Sequence, residues 1–238
     1  MTARRRTRLA VLASGNGSNL RALMHYFGEG APVADAEIAL VASNRPESGA
    51  LALARERHVA AEVIAGRDDD ATALAALLET HRIDLIVLAG YLRLVPAAVA
   101  RAFRGRIVNI HPALLPAFGG PGMYGERVHR AVIAAGVRVS GATVHFVDEI
   151  YDHGACIAQW PVPVYSGDSA ATLARRILRV EHLLLPRAVH AVATGTVRLD
   201  EAGRVTGTFP PPDPTAAFTL LTREDAEIAR DITRLLSR

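Results

Sequence analysis

Arg8-Leu9-Ala10-Val11-Leu12-Ala13-Ser14-Gly15-Asn16-Gly17-Ser18-Asn19 passes in one step from an apolar run to a glycine-rich turn and then to helix-capping residues. The run predicts a strand over Arg8 to Ala13, and the spacing behind it predicts a helix over Asn19 to Tyr26. Two glycines allow a tight turn and close backbone approach, while Ser18 and Asn19 supply cap groups and extra donors. A helix entered from such a loop shows bare N–H groups and the positive end of its dipole, which suits a phosphate monoester. Leu20 occupies the place of the third glycine in GxGxxG, so the dinucleotide fingerprint is not met. A plain glycine-rich turn with an ordinary cap is the bland alternative.

Outward from this unit the same alternation repeats. Strands are expected near Glu37 to Ala42, Ala61 to Ile64, Asp84 to Ala89 and Arg106 to Ile110, with helices over Gly49 to Arg57, Asp70 to His81, Pro96 to Phe103 and Glu126 to Ala135. Strands alternating with helices predict an α/β fold: a Rossmann-like, mostly parallel twisted sheet with helices on both faces. Val137 to Val147 and Cys156 to Val164 read as a strand pair that extends the sheet with antiparallel character. Ser169 to Ala193 reads as one long helix, capped by Asp168 or Ser169 and ending near Gly195. Beyond it the pattern weakens: a last strand over Val205 to Phe209, a rigid Pro210 to Pro214 spacer, and a terminal helix over Arg223 to Leu235. Residues 1–195 are therefore expected to form the catalytic domain, with 196–238 as an extension packed on it or trailing from it.

Composition narrows the chemistry. All 27 basic residues of this 238-residue chain are arginine. Without lysine there is no Walker-type phosphate loop, no Schiff-base aldolase, no pyridoxal phosphate enzyme and no kinase strand lysine. A formal net charge of +3 with scattered arginines and few aromatics does not indicate a nucleic-acid surface, though it leaves room for an arginine-lined pocket. No apolar stretch reaches the roughly twenty residues that spanning a membrane requires. The basic start lacks a signal-peptide pattern, and the single cysteine, Cys156, allows no internal disulfide, so a cytoplasmic location is expected. Nine histidines lack close ligand spacing, so no catalytic metal is expected. No G-x-S-x-G elbow is present for a serine hydrolase.

Two further clusters carry polar chemistry. In Asn109-Ile110-His111-Pro112, strand alternation places Asn109 and His111 on one face while Ile110 points into the core. Both project from a strand's carboxyl end, where open α/β sheets bind ligands. An amide beside an imidazole can hold and polarise a carbonyl oxygen. Asp148-Glu149-Ile150-Tyr151-Asp152-His153-Gly154 supplies acids in the loop between the strand pair, and spacing alone does not choose among Asp148, Glu149 and Asp152.

Taken together, Ser14 to Asn19, Leu88-Ala-Gly-Tyr-Leu-Arg-Leu-Val95, Asn109-Ile-His-Pro-Ala-Leu-Leu-Pro116 and Gly141-Ala-Thr-Val-His-Phe-Val147 resemble, in order and spacing, the folate-dependent formyltransferases. The resemblance covers roughly residues 8 to 195, and the first loop points to the branch acting on glycinamide ribonucleotide. It implies the formyltransferase fold and transfer of a formyl group from 10-formyltetrahydrofolate, as cosubstrate, to the ribonucleotide amine in purine synthesis. No prosthetic group, nucleic acid or membrane is implied, and the protein would be a monomer or homodimer.

Residue by residue, the resemblance implies that Gly17, Ser18 and Asn19 hold the phosphate and that Glu181 grips the ribose hydroxyls. It implies a folate site along Leu92, Arg93, Leu94 and Val95, with backbone hydrogen bonds to the pterin, and Arg67 near the folate tail. Asn109, His111 and Asp152 match the family's catalytic trio, with Asn109 also facing the folate. In that trio a protonated His111 is expected to be sustained by Asp152. Leu178 and Val180 stand where some members carry polar residues facing the substrate, and Ala117 to Arg127 looks like a loop that closes over it. A formyltetrahydrofolate hydrolase is the nearest alternative in mechanism, and a non-catalytic nucleotide-sensing module is the alternative outside enzymology.

Overall fold

A computed structural model describes residues 5–28, 33–64, 70–207 and 209. The chain runs β1 (Thr7–Leu12), α1 (Ser18–Phe27), β2 (Ala36–Ser43), α2 (Gly49–Glu56), β3 (Ala60–Val63), α3 (Asp70–Thr80), β4 (Leu85–Leu88), α4 (Ala97–Ala102) and β5 (Ile107–His111). It continues with α5 (Glu126–Ala134), β6 (Val139–Phe146), β7 (Cys156–Pro163), α6 (Ala170–Ala193), β8 (Val197–Leu199) and β9 (Val205–Gly207). Apart from β8, which the sequence did not indicate, these bounds lie within two residues of the sequence expectations. Arg67, the Pro210 to Pro214 spacer and the Arg223 to Leu235 helix lie outside the described residues.

Seven strands form one sheet in the order β3-β2-β1-β4-β5-β6-β7. The first five are parallel, while β6 runs antiparallel to β5 and β7 antiparallel to β6. Alternation sorts the strand residues between two layers. Leu9, Val11, Leu85, Val87, Val108 and Ile110 pack with α1, α2, α5 and α6; Ala10, Leu12, Ile86, Leu88 and Ile107 pack with α3 and α4. Both faces are buried, so the strands read as nearly continuous apolar runs.

Strand order reverses where β1 lies between β2 and β4, and the carboxyl ends of β1 and β4 part there to open a crevice. The long helix α6 borders it. Ser169 is its cap, with Thr172 closing a reciprocal capping box, and Asp168 instead takes a bidentate ion pair from Arg176 at 2.7 and 2.9 Å. Burial pushes the Asp168 carboxyl up, but the hydrogen bonds from Arg176 and Thr172 and the arginine charge outweigh it, leaving the pKa lowered. The helix is thereby fixed at its start. The β8–β9 hairpin contains a three-residue strand, Val197–Leu199, too short to show a period in the sequence. Val197, Leu199, Val205 and Phe209 join the α6 side of the core.

Candidate active site

A cavity of about 610 Å³ lies over the carboxyl ends of β1, β4 and β5, lined by the Gly15 to Asn19 loop, Leu88 to Val95, Asn109 to Pro112, Gly120 to Glu126, Asp152 and Glu181 among others. The three separate sequence clusters therefore share one cleft, of a size that suits small-molecule sites.

At one end Gly17 precedes α1 with a φ of 78°, and no side chain caps the helix. Ser18 and Asn19 do not serve as the expected caps, so the first N–H groups face the cleft uncapped, as an anion site requires. Asn19 is turned elsewhere. Its Nδ2 donates to Glu181 Oε2 at 2.7 Å, and its Oδ1 is buried without a partner. Burial pushes the Glu181 carboxyl above its ordinary pKa, opposed by the Asn19 hydrogen bond. Asn19 is thus placed to offer an incoming anion its backbone N–H while its side chain supports Glu181. Leu178 lines the same wall, whereas Val180 is buried in the core and does not face the cleft.

In the middle of the cleft, Leu92, Arg93, Leu94 and Val95 form a wall in which Val95 is buried and Leu94 is 41% exposed. The Leu92 N–H donates to Ser14 Oγ at 3.0 Å, and Ser14 in turn bonds Asn44. That backbone donor is committed within the protein. Ser14 joins the first loop to the Leu92 wall.

At the far end, Asn109 and His111 leave β5 on the same face, as alternation predicts. His111 is 3% exposed; its Nδ1 lies 3.5 Å from Asp152 Oδ2 and its Nε2 lies 2.9 Å from the Phe118 carbonyl. Asp152 Oδ2 also accepts the Gly120 N–H at 2.9 Å, and Oδ1 lies 3.5 Å from Asn109 Nδ2. The other two acids of the loop lead elsewhere: Asp148 accepts from Ile150 N–H and bonds His153, and Glu149 pairs with Arg101 on the surface. Phe118 to Gly120 is therefore pinned against His111 and Asp152. Burial pulls the His111 pKa below its ordinary value, with Asp152 and the Phe118 carbonyl pulling it back up. The net direction is opposite to the expectation of an imidazolium sustained by Asp152; desolvation outweighs the carboxylate.

The sequence passed over two buried histidines. His145 stands directly opposite Asn109 in the β5–β6 pairing, and His129, on the buried face of α5, lines the same cavity. His145 lies within the quoted Gly141 to Val147 stretch, and the alternation that pairs Asn109 with His111 would have found it once the antiparallel register was known.

The chain matches the family described as Formyl transferase over residues 7–189. It is 44% identical over 193 residues to the chloroplastic phosphoribosylglycinamide formyltransferase of Vigna unguiculata, covering 79% of this chain and 61% of that protein. It is 40% identical over 205 residues to the trifunctional purine biosynthetic protein adenosine-3 of Gallus gallus, covering 84% of this chain and 20% of that one. The chain thus spans about three fifths of the plant relative's length and a fifth of the animal one's. The crystal structure of glycinamide ribonucleotide transformylase 1 from Symbiobacterium toebii superposes with a TM-score of 0.76 at 40% identity, covering 84% of this chain and 93% of that one.

Proposed function

The chain belongs to the formyl transferase family, and on that premise we propose that it transfers the formyl group of 10-formyltetrahydrofolate to the amine of glycinamide ribonucleotide in purine synthesis. The observation that carries the reading is the single cleft that joins an uncapped helix N-terminus and a buried Glu181 to Asn109, His111 and Asp152. A phosphorylated sugar fits the first pair of features. The folate fits the apolar wall of Leu88, Leu92, Val95 and Val147, with Leu94, Ile150 and Tyr151 exposed at the rim.

A bound 10-formyl folate supplies the formyl carbon and departs as a nitrogen that must gain a proton. The chain's residues supply the rest. Asn109 directs an amide N–H into the space where negative charge develops on the formyl oxygen, and a donor fixed in advance in a water-poor site is worth several kcal/mol, about 2.7–4 in comparable sites. Burial favours the neutral form of His111, while Asp152 and the Phe118 carbonyl lower the cost of charging it as the proton moves. The Gly120 N–H holds Asp152 in place. Gripping both substrates in one cleft turns their encounter into an oriented reaction.

The direct test is to supply 10-formyltetrahydrofolate with and without glycinamide ribonucleotide and follow release of tetrahydrofolate. Release that depends on the ribonucleotide is expected; release at the same rate without it would assign a hydrolase instead.

Glu181 provides a second test, of stability as well as binding. Its folded pKa is raised, so its contribution to stability is fully present below the unfolded pKa and is lost as pH rises through the folded value. Glu181→Gln, which never ionises, should therefore gain on the wild type as pH climbs above the ordinary carboxylate range. Loss of the charged acceptor should raise the KM for the ribonucleotide roughly ten- to a hundredfold. Thermal midpoints across pH, beside KM values for both substrates, check this; an unchanged ribonucleotide KM would remove Glu181 from the sugar site.

A further inference from the structure

Asn109 has two chemically different ends, and the proposed reaction works with only one of them facing the formyl oxygen. The amide nitrogen donates and the amide oxygen can only accept, so a half-turn of the side chain would replace an attractive group with a repulsive one. Something in the fold must choose. The candidate is His145, which is 1% exposed and sits across from Asn109 on the same sheet face.

The choice follows from three distances. His145 Nδ1 lies 2.7 Å from the Phe146 carbonyl, and since a carbonyl only accepts, Nδ1 carries the ring hydrogen. In the neutral ring Nε2 is then a bare lone pair. It lies 2.9 Å from Asn109 Nδ2, so the amide nitrogen donates to it, and the alternative orientation would set two acceptors against each other. Burial favours the neutral ring by lowering the histidine's pKa, although the Phe146 carbonyl and Asp152 oppose it. The second hydrogen of Asn109 Nδ2 is directed toward Asp152 Oδ1, 3.5 Å away, and that same oxygen lies 3.8 Å from His145 Nε2. At 3.5 Å this second contact is weak, so the hydrogen remains available to a better acceptor entering the cleft.

We infer that His145 is a positioning residue which, held as the Nδ1–H tautomer by the Phe146 carbonyl, fixes the amide of Asn109 with its second N–H toward the reacting oxygen. The inference rests on the formyl-transfer reading for its kinetic consequence, but not for the hydrogen-bond arrangement itself. Glutamine can place its side-chain oxygen near the position of Nε2 and accept the same bond, whereas phenylalanine fills the volume without an acceptor.

The experiment therefore has two arms. Nitrogen-15 NMR of the intact protein labelled at histidine should show His145 protonated at Nδ1 and bare at Nε2; the opposite tautomer overturns the inference, whatever the enzyme's substrate proves to be. In steady-state kinetics with 10-formyltetrahydrofolate and glycinamide ribonucleotide, H145F should lose about a hundredfold in kcat, the lower end of the scale for one lost oxyanion donor, with both KM values within about threefold, whereas H145Q should recover most of kcat at a comparable thermal midpoint. Equal losses for H145F and H145Q in folded proteins, or full kcat in H145F, overturn it. Absence of turnover in the wild type refutes the proposed reaction, and the NMR arm then decides the arrangement alone.

Discussion

Asp152→Asn should lower kcat by on the order of a hundredfold or more, as expected for a lost acid–base group, with the KM values for both substrates nearly unchanged. The substitution is a clean one because Asp152 has a φ of 53°, a left-handed conformation that asparagine tolerates better than most residues. Asparagine's side-chain oxygen can still accept the Gly120 N–H, so the loop should stay in place. What disappears is the charge. The His111 pKa, already lowered by burial, loses the contribution from Asp152 and falls further. The charged fraction of His111 at any pH near neutrality shrinks accordingly, and a histidine titration by NMR should show its midpoint moving to lower pH. Asp148→Asn and Glu149→Gln, whose side chains bind His153 and Arg101, should cost far less. A greater rate loss at either of them than at Asp152 would transfer the role.

Gly17→Val should produce the largest effect on binding. Its φ of 78° is strained for a β-branched residue, at a cost of about 1–2 kcal/mol. Any Cβ there would also lie 2.9 Å from the Ala50 Cα, so the start of α1 and α2 must move apart. The same displacement spoils the row of N–H groups proposed to hold the phosphate. Ribonucleotide affinity should drop by on the order of a hundredfold, the value of two or so charge-assisted hydrogen bonds, while folate affinity changes within about threefold. The thermal midpoint should fall by roughly 5 °C or more, because each kcal/mol moves it by about 2–4 °C in a chain of this size. Calorimetric titration of the folded variant with each substrate separates the outcomes. Equal losses for both ligands would count against the phosphate assignment.

Local period carried most of the fold. The step from Leu12 through Gly17 to Ser18 was legible because an apolar run, a turn and a helix each leave a short-range pattern, and the same holds for β2 through α6. Alternation also gave the shared face of Asn109 and His111. The relations that escaped were those between residues distant in the chain. Asn19 looks like a cap residue until Glu181, 162 positions away, takes its amide. His145 becomes part of the site only through antiparallel pairing, which places it opposite Asn109. The protonation state of His111 depends on how deeply it is buried, a quantity that spacing does not encode. Three neighbouring acids were indistinguishable by position, and the structure separates them by what each carboxylate touches.

In the proposed reaction the formyl carbon passes to the ribonucleotide amine through the Asn109, His111 and Asp152 cluster. Its most direct test is a reaction with carbon-13-labelled 10-formyltetrahydrofolate and glycinamide ribonucleotide, followed by carbon NMR for the wild type and for Asp152→Asn. The wild type should move the label quantitatively into a formamide on the ribonucleotide, with no free formate, and the variant should bind both substrates yet form that product on the order of a hundredfold more slowly. Label appearing as formate at a rate indifferent to the ribonucleotide, or undiminished transfer by the variant, would contradict it.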